Sequence, residues 1–333
     1  MKYKYITIVS VLLVAGCTSV FAGSSRKIGT AGAQELLLPI GSRGTAMGGA
    51  VIANSYGLES IFWNPSGLAS LEGSEAMFSH QTYLADMDVN FGGVATTFES
   101  FGTVGVTAKV LSVGDIEETT DLQPDGTGNI YAPTLTVIGL TYAKNLTASV
   151  AFGATAMFIN ESIFQVNARG VAFDFGVTYR PNWNGVTLGI AIKNYGPSMR
   201  FSGSGFQRVQ GEPVDRTVAS NSASFELPSS VNLGMAYNFF NSEKNSASLS
   251  GNFRSNNFSE DLWQGGAEYS FSNRYFLRGG YNFSSANQYL YGLSLGAGLN
   301  FAVGEESTLS LEYAWNETEV FDDNQYFTLR VGF

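Results

Sequence analysis

From Gly73 to Phe333 the chain alternates, large apolar side chains recurring at every second position with small or polar ones between them. Tyr289–Val303 shows it most clearly. Tyr289, Tyr291, Leu293, Leu295, Ala297, Leu299, Phe301 and Val303 share one face, and Leu290, Gly292, Ser294, Gly296, Gly298, Asn300 and Ala302 the other. Successive strand residues point to opposite sides, so this period predicts a strand with one apolar and one small or polar wall. Val171, Phe173, Phe175, Val177 and Tyr179 repeat the pattern against Ala172, Asp174, Gly176, Thr178 and Arg180.

Charges within these stretches fall mostly on the small-residue face, at Asp174, Lys193, Arg254, Glu268, Arg278, Glu312 and Arg330. A soluble sandwich would carry its charge on the outer face. Here the apolar face suits lipid, where a charge costs ~2–4 kcal/mol, and the other suits an aqueous lumen. Asp174, Arg180, Glu268, Arg278 and Arg330 are therefore the candidate polar groups of the lumen.

The predicted strands lie near 74–83, 88–99, 102–112, 134–144, 147–159, 169–180, 185–194, 229–240, 246–254, 262–272, 274–283, 289–302, 307–316 and 324–333, fourteen in all. Even-numbered connections are short: Glu99–Phe101, Asn145–Leu146, Pro181–Asn184, Asn241–Asn245, Asn273 and Val303–Glu306. Odd-numbered ones are mostly longer: Leu84–Met87, Val113–Pro133, Asn160–Ala168, Tyr195–Pro228, Ser255–Asp261, Ser284–Gln288 and Glu317–Asp323. An even strand count with short turns at one end and long loops at the other predicts an all-β, 14-stranded antiparallel transmembrane barrel of the outer membrane. Tyr195–Pro228 is long enough to be a mobile surface loop, a lid or a docking loop. The terminal Phe333 closes an alternating strand, a pattern that fits a signal for the outer-membrane assembly machinery.

Gly41–Ser70 breaks the period. It holds six glycines and the Asn64-Pro65 pair, with Ile61, Phe62 and Trp63 as apolar bulk. Proline fixes its own φ and moves Asn64 out of the helical region, so the pair turns the chain. Gly48 and Gly49 permit close backbone approach. A barrel of fourteen strands is too wide for its wall side chains to fill. The segment is thus expected to plug the lumen, its backbone served by the polar wall groups above, though an ordinary Gly-rich entry loop fits the same composition.

Composition narrows the class. Only 14% of the 333 residues are charged, 14% are aromatic and 39 are glycine. A soluble protein carries ~25% charge. No run of 18 apolar residues lies beyond the N-terminus, which argues against a helical membrane protein. Lys2 and Lys4 before the apolar Ile6–Ala15 read as a secretory signal. Cleavage after Ala22 would leave Gly23 first; Val14-Ala15-Gly16-Cys17 also fits a lipoprotein box with Cys17 lipidated. The organisation is then a signal peptide over 1–22, an N-terminal segment and plug over 23–72, and a barrel over 73–333.

The net charge of −10 argues against a nucleic-acid partner. Loop carboxylates (Asp115, Glu117, Glu118, Asp121, Asp125; Glu317, Glu319, Asp322, Asp323) read as a solvated rim, or as a face bridged by divalent cations to lipopolysaccharide. With Cys17 the sole cysteine, no disulfide or thiolate metal site can form in the mature domain, and a serine triad would have to use His80, the sole histidine. The sequence holds no Gly-Lys-Ser/Thr loop, Cys-x-x-Cys pair or His-Glu-x-x-His motif. His80 reads as a structural or lumen polar group, and no enzymatic activity is expected.

Leu38-Pro39-Ile40-Gly41-Ser42-Arg43-Gly44-Thr45-Ala46-Met47-Gly48-Gly49-Ala50, followed by Ser60-Ile61-Phe62-Trp63-Asn64-Pro65-Ser66-Gly67-Leu68-Ala69, resembles the PorV/PorQ family of outer-membrane proteins, relatives of the FadL-type channels. Gly44-Thr45 and Ser66 depart mildly from the family pattern. The likeness covers about thirty residues; beyond them it is one of length and pattern. It implies a 14-stranded barrel with an N-terminal plug, and marks Gly41, Arg43, Gly44, Met47, Gly48, Gly49, Trp63, Asn64, Pro65 and Gly67 as its motif residues. It also implies a role in type IX-like protein secretion, binding or shuttling cargo, or alternatively the FadL-type passage of hydrophobic molecules.

Overall fold

Each strand buries only one face on the protein side, so the chain must either stack two sheets or close one sheet on itself. It does the second. In the computed structural model, which describes residues 28–84, 87–210, 216–219, 222–242, 244–284, 291–304, 307–319 and 321–333, fourteen long strands form one antiparallel barrel. They are β1 (Ser74–Tyr83), β2 (Met87–Phe98), β3 (Gly102–Ser112), β4 (Thr134–Asn145), β5 (Val150–Ile163), β6 (Val166–Tyr179), β7 (Val186–Tyr195), β8 (Ser230–Asn241), β9 (Asn245–Asn256), β10 (Leu262–Phe271), β11 (Tyr275–Ser284), β12 (Tyr291–Val303), β13 (Ser307–Thr318) and β14 (Asn324–Gly332). Each pairs with the next in sequence, and β14 closes on β1 from Glu75↔Gly332 to Thr82↔Gln325. Phe333 finishes the seam by exchanging backbone hydrogen bonds with Ser74, at 2.7 and 2.9 Å. Closure leaves no unpaired edge, which a bilayer demands because it offers backbone groups no other partner.

The two faces sort as their chemistry requires. Along β6, Val171, Phe173, Phe175, Val177 and Tyr179 are exposed, while Ala172, Asp174 and Thr178 are buried. The exposed apolar side chains face lipid, and the buried face is the lumen. Outward aromatics gather toward the strand ends, with Phe98, Tyr179 and Tyr237 at one rim and Tyr195, Trp263 and Phe283 at the other, as interfacial girdles do.

Two expectations from the sequence change. Asn160–Ala168 is not a longer loop: β5 and β6 run on as an extended hairpin and turn at Phe164 and Gln165, with Phe164 at φ 50°. Polar residues there alternate as well as the apolar ones do, so the ladder continues past the bilayer. His80 is not in the lumen. It shares the outward face of β1 with Phe78, its Nδ1 2.9 Å from Asn90 Oδ1 and its Nε2 3.7 Å from Asp88. The signal-peptide reading, and Tyr289 and Leu290 of the predicted twelfth strand, lie outside the described residues.

Between β7 and β8 the long connection folds back. Phe201–Gly203 pairs with Val166–Ala168 at the outer end of β6, and Met199 bridges to Phe225. Ala31 bridges to Glu226, so the start of the described chain meets this connection at the outer mouth.

Candidate functional site

The lumen holds the N-terminal segment. It descends from the outer mouth at Ala31 to the inner rim, where β1 begins. Two short helices, α1 (Ser42–Ala46) and α2 (Ser60–Trp63), and a 3-10 turn at Pro65–Ser70 carry its bulk. Met47, Ile52, Leu58 and Leu68 are fully buried. Its backbone turns need glycine: Gly41, Gly48 and Gly49 sit at φ 79°, 62° and 77°. Gly44 lies under the Trp63 indole, and Gly67 against the Ser55 carbonyl. Asn64 is extended, as the following proline requires, and caps the 3-10 turn. Its Oδ1 accepts from the Ser66 amide (3.2 Å) and hydroxyl (2.7 Å), and its Nδ2 donates to the Ile52 carbonyl (2.7 Å). Pro65 stands at the first position of that turn, where its missing N–H costs nothing.

The wall accommodates the segment with glycines of its own. A Cβ at Gly153 would strike Pro65, at Gly176 Asn64, at Gly189 Ile52, at Gly280 the Met47–Gly48 backbone, and at Gly296 Ala46. These positions belong to β5, β6, β7, β11 and β12, on the face of small residues.

Charge is concentrated on one side. Arg43 donates through Nε and Nη2 to the two oxygens of Glu268 (3.0 and 3.1 Å), and through Nη1 to the Asn54 carbonyl (3.2 Å). Arg278 donates to Glu268 (2.6 Å) and to Glu312 (2.9 Å), and Arg330 donates to the same Glu312 oxygen (2.7 Å). The Tyr56 ring lies 4.5 Å from the Arg43 guanidinium and 5.4 Å from that of Arg330. Glu59 accepts the Gly44 amide at 2.6 Å. Burial and the nearby Glu312 carboxylate push its carboxyl up to about 7, against the pull of Arg330 and Arg43.

This corrects the expected use of the lumen charges. Glu268, Arg278 and Arg330 pair with one another, with Glu312 and with the Arg43 side chain, not with the segment's backbone. Asp174 accepts the Asn194 amide of the neighbouring strand at 2.6 Å, and Arg180 lies exposed just past the end of β6. Around Gly48 and Gly49 the segment's carbonyls are served by neutral amides: Asn252 donates to Gly49 (2.7 Å) and Gln264 to Gly48 (2.6 Å). An amide provides a donor without the desolvation cost of a charge, so it suits a dry contact.

Two cavities flank the segment. One, about 40 Å³, has apolar walls from Leu36, Ile40, Ile61, Phe91, Val137 and Met157, with Lys109, Lys193 and Asp174 at one side. The other, about 80 Å³, is lined by Arg254, Gln264, Asn282, Ser294 and Asn316, with Trp63 and Tyr326. Lys109 reaches across from β3 to the carbonyls of Glu35 (2.7 Å) and Leu38 (3.1 Å). The motif and the charge pattern missed Lys109, yet its parity on β3, two positions from the inward Thr107, points it into the lumen.

The wall is irregular beside the first cavity. Phe173 pairs with Tyr195 but Phe175 with Ile192, so Lys193 and Asn194 together oppose Asp174. This is a bulge, with Asn194 at φ 56° and its side chain tied to the Pro228 carbonyl. The β6–β7 ladder ends at Phe173.

The barrel is one already seen in transport proteins. The monoaromatic hydrocarbon channel CymD superposes with a TM-score of 0.57 at 15% identity, over 89% of this chain and 97% of that one. The toluene transporter TodX of Pseudomonas putida gives 0.57 at 14%, over 87% and 96%. A FadL homologue of Pseudomonas aeruginosa gives 0.54 at 13%, over 88% and 98%. At these identities the likeness is one of fold: a closed 14-stranded outer-membrane barrel of the FadL type. No protein-family model matches the sequence, and no curated protein matches it either. The PorV/PorQ resemblance thus gains no support from either comparison. Among the described residues no cluster of three or more His, Cys, Asp or Glu side chains could hold a metal ion.

Proposed function

We propose that this barrel passes small hydrophobic molecules across the outer membrane, with the N-terminal segment as its plug. The observation that carries the reading is the apolar cavity directly behind the β6–β7 bulge, lined by both Asp174 and Asn194 of that seam. Its apolar walls and few convergent polar groups are the chemistry that a small, mainly apolar ligand needs, and at about 40 Å³ it must widen to admit an aromatic ring. The interrupted ladder beside it puts a break in the wall next to the lipid-facing Phe173 and Tyr195. The named cargoes of CymD and TodX, monoaromatic hydrocarbons and toluene, are of a kind that fits this chemistry.

Secretion is less well supported. Arg43, Met47, Trp63 and Asn64, which carry the PorV/PorQ resemblance, are buried in the lumen, so they present no surface to a cargo protein. Cells expressing the protein should accumulate labelled toluene faster than cells without it, with an unchanged profile of secreted proteins. Equal accumulation together with lost secreted proteins would reverse the assignment. We further assign Phe333 to recognition by the assembly machinery, tested by outer-membrane yield after deleting that residue.

A further inference from the structure

Phe62 is, among the described residues, the one side chain that lines both cavities. On one side of it lies the apolar chamber. On the other lies the amide-lined chamber, whose Arg254, Leu262, Asn282, Ser294 and Asn316 all sit toward the outer ends of their strands. The chambers are chemically unlike, and a single ring stands between them.

That ring is held from several directions. The Lys193 ammonium lies 3.6 Å from its centroid and the Lys109 ammonium 5.1 Å, both within cation–π range. Trp63 meets it edge to face, with centroids 4.9 Å apart and planes at 89°. Phe62 is nevertheless only partly buried, whereas Ile61 and Trp63 on either side of it are buried. It packs against two apolar clusters, one around Leu58 and Ile61 and one around Met47 and Trp63, yet it is the least enclosed residue of the Ile61–Trp63 run.

We propose that Phe62 is the gate between a polar chamber and the apolar chamber behind the β6–β7 bulge, and so sets the size of solute that passes. Solute in the polar chamber meets hydrogen-bonding groups, loses its water there, and reaches the apolar chamber when the ring swings aside. Lys109 and Lys193 act as positioning residues that return the ring to the closed position. The inference rests on the passage reading above.

Phe62→Ala, Phe62→Trp and the control Phe98→Leu, on the outward face of the wall, are compared with wild type, each first shown to migrate as a folded barrel on unboiled gels. Planar-bilayer conductance and uptake of labelled toluene and of a bulkier alkylbenzene are then measured. Phe62→Ala should raise conductance and admit the bulkier compound, Phe62→Trp should slow toluene roughly tenfold, and Phe98→Leu should leave both near wild type. If wild type takes up toluene and the two Phe62 variants match it in rate, size preference and conductance, the gate is overturned and the passage reading stands. If wild type takes up no toluene, the passage reading fails, and conductance decides the gate: an unchanged value in Phe62→Ala overturns it.

Discussion

Arg43→Met tests what fastens the segment inside the barrel. The substitution keeps a long flexible side chain and removes the charge, the two-pronged pairing with Glu268 and the bond to the Asn54 carbonyl. Arg43 is 4% exposed, so its hydrogen bonds are not diluted by solvent. Removing one partner of a buried pair costs about 3–5 kcal/mol because the other charge is stranded. Here Glu268 keeps Arg278 at 2.6 Å, which places the expected loss at the low end, about 3 kcal/mol. At about 1.4 kcal/mol per decade, that is on the order of a hundredfold in the equilibrium between docked and undocked segment. Hydrogen exchange measures it directly: amides of Met47, Gly48 and Asn54, bonded within the segment, should lose about two decades of protection, while the β5–β6 ladder stays protected. Glu268→Gln should cost more, since it leaves Arg43 without an anionic partner. Protection unchanged in both variants would show that the ion pair does not hold the segment.

Glu59 titrates in the fold at about 7, above the 4.5 of an ordinary glutamate. The uncharged form is thus the favoured one, and its contribution is fully present below pH 4.5 and lost as pH rises through 7. Glu59→Gln, which can still accept the Gly44 amide, should raise thermal stability at pH 8 by up to about 3 kcal/mol and change little at pH 4; equal effects at both values would refute this. Gly280→Val should push the Met47–Gly48 backbone off β11, seen as raised conductance with the barrel band on gels intact; wild-type conductance would mean the contact is dispensable. Replacing Trp63-Asn64-Pro65 by Gly-Ser-Gly should leave assembly intact and raise conductance well above wild type, and an unchanged conductance in a folded variant would exclude the plug role.

The barrel was legible from local order alone. A period of two is a property of each strand by itself, and in a bilayer the apolar face has one solvent to meet, so fourteen strands, their order and most of their bounds follow without knowing any contact. The hairpin at Phe164–Gln165 escaped because polar residues alternate without contrast, and hydropathy cannot mark where a strand that leaves the membrane ends. The inner segment was recognisable as different, and Gly48, Gly49, Asn64 and Pro65 announced tight backbone and a turn. What they pack against was not. The wall partners of Arg43, Asn64 and Met47 lie more than a hundred residues away in sequence, at Glu268, Val177 and Gly280, and no local signal joins them. Parity put Glu268, Arg278, Glu312 and Arg330 on the lumen face, but strand register decided that they neutralise one another. Arg180 had the same parity and fell outside, because it lies past the end of its strand. Phe62 is the clearest case. In the sequence it is apolar bulk beside Trp63; only the placing of Lys109 on β3 and Lys193 on β7 around its ring makes it a partition between two chambers.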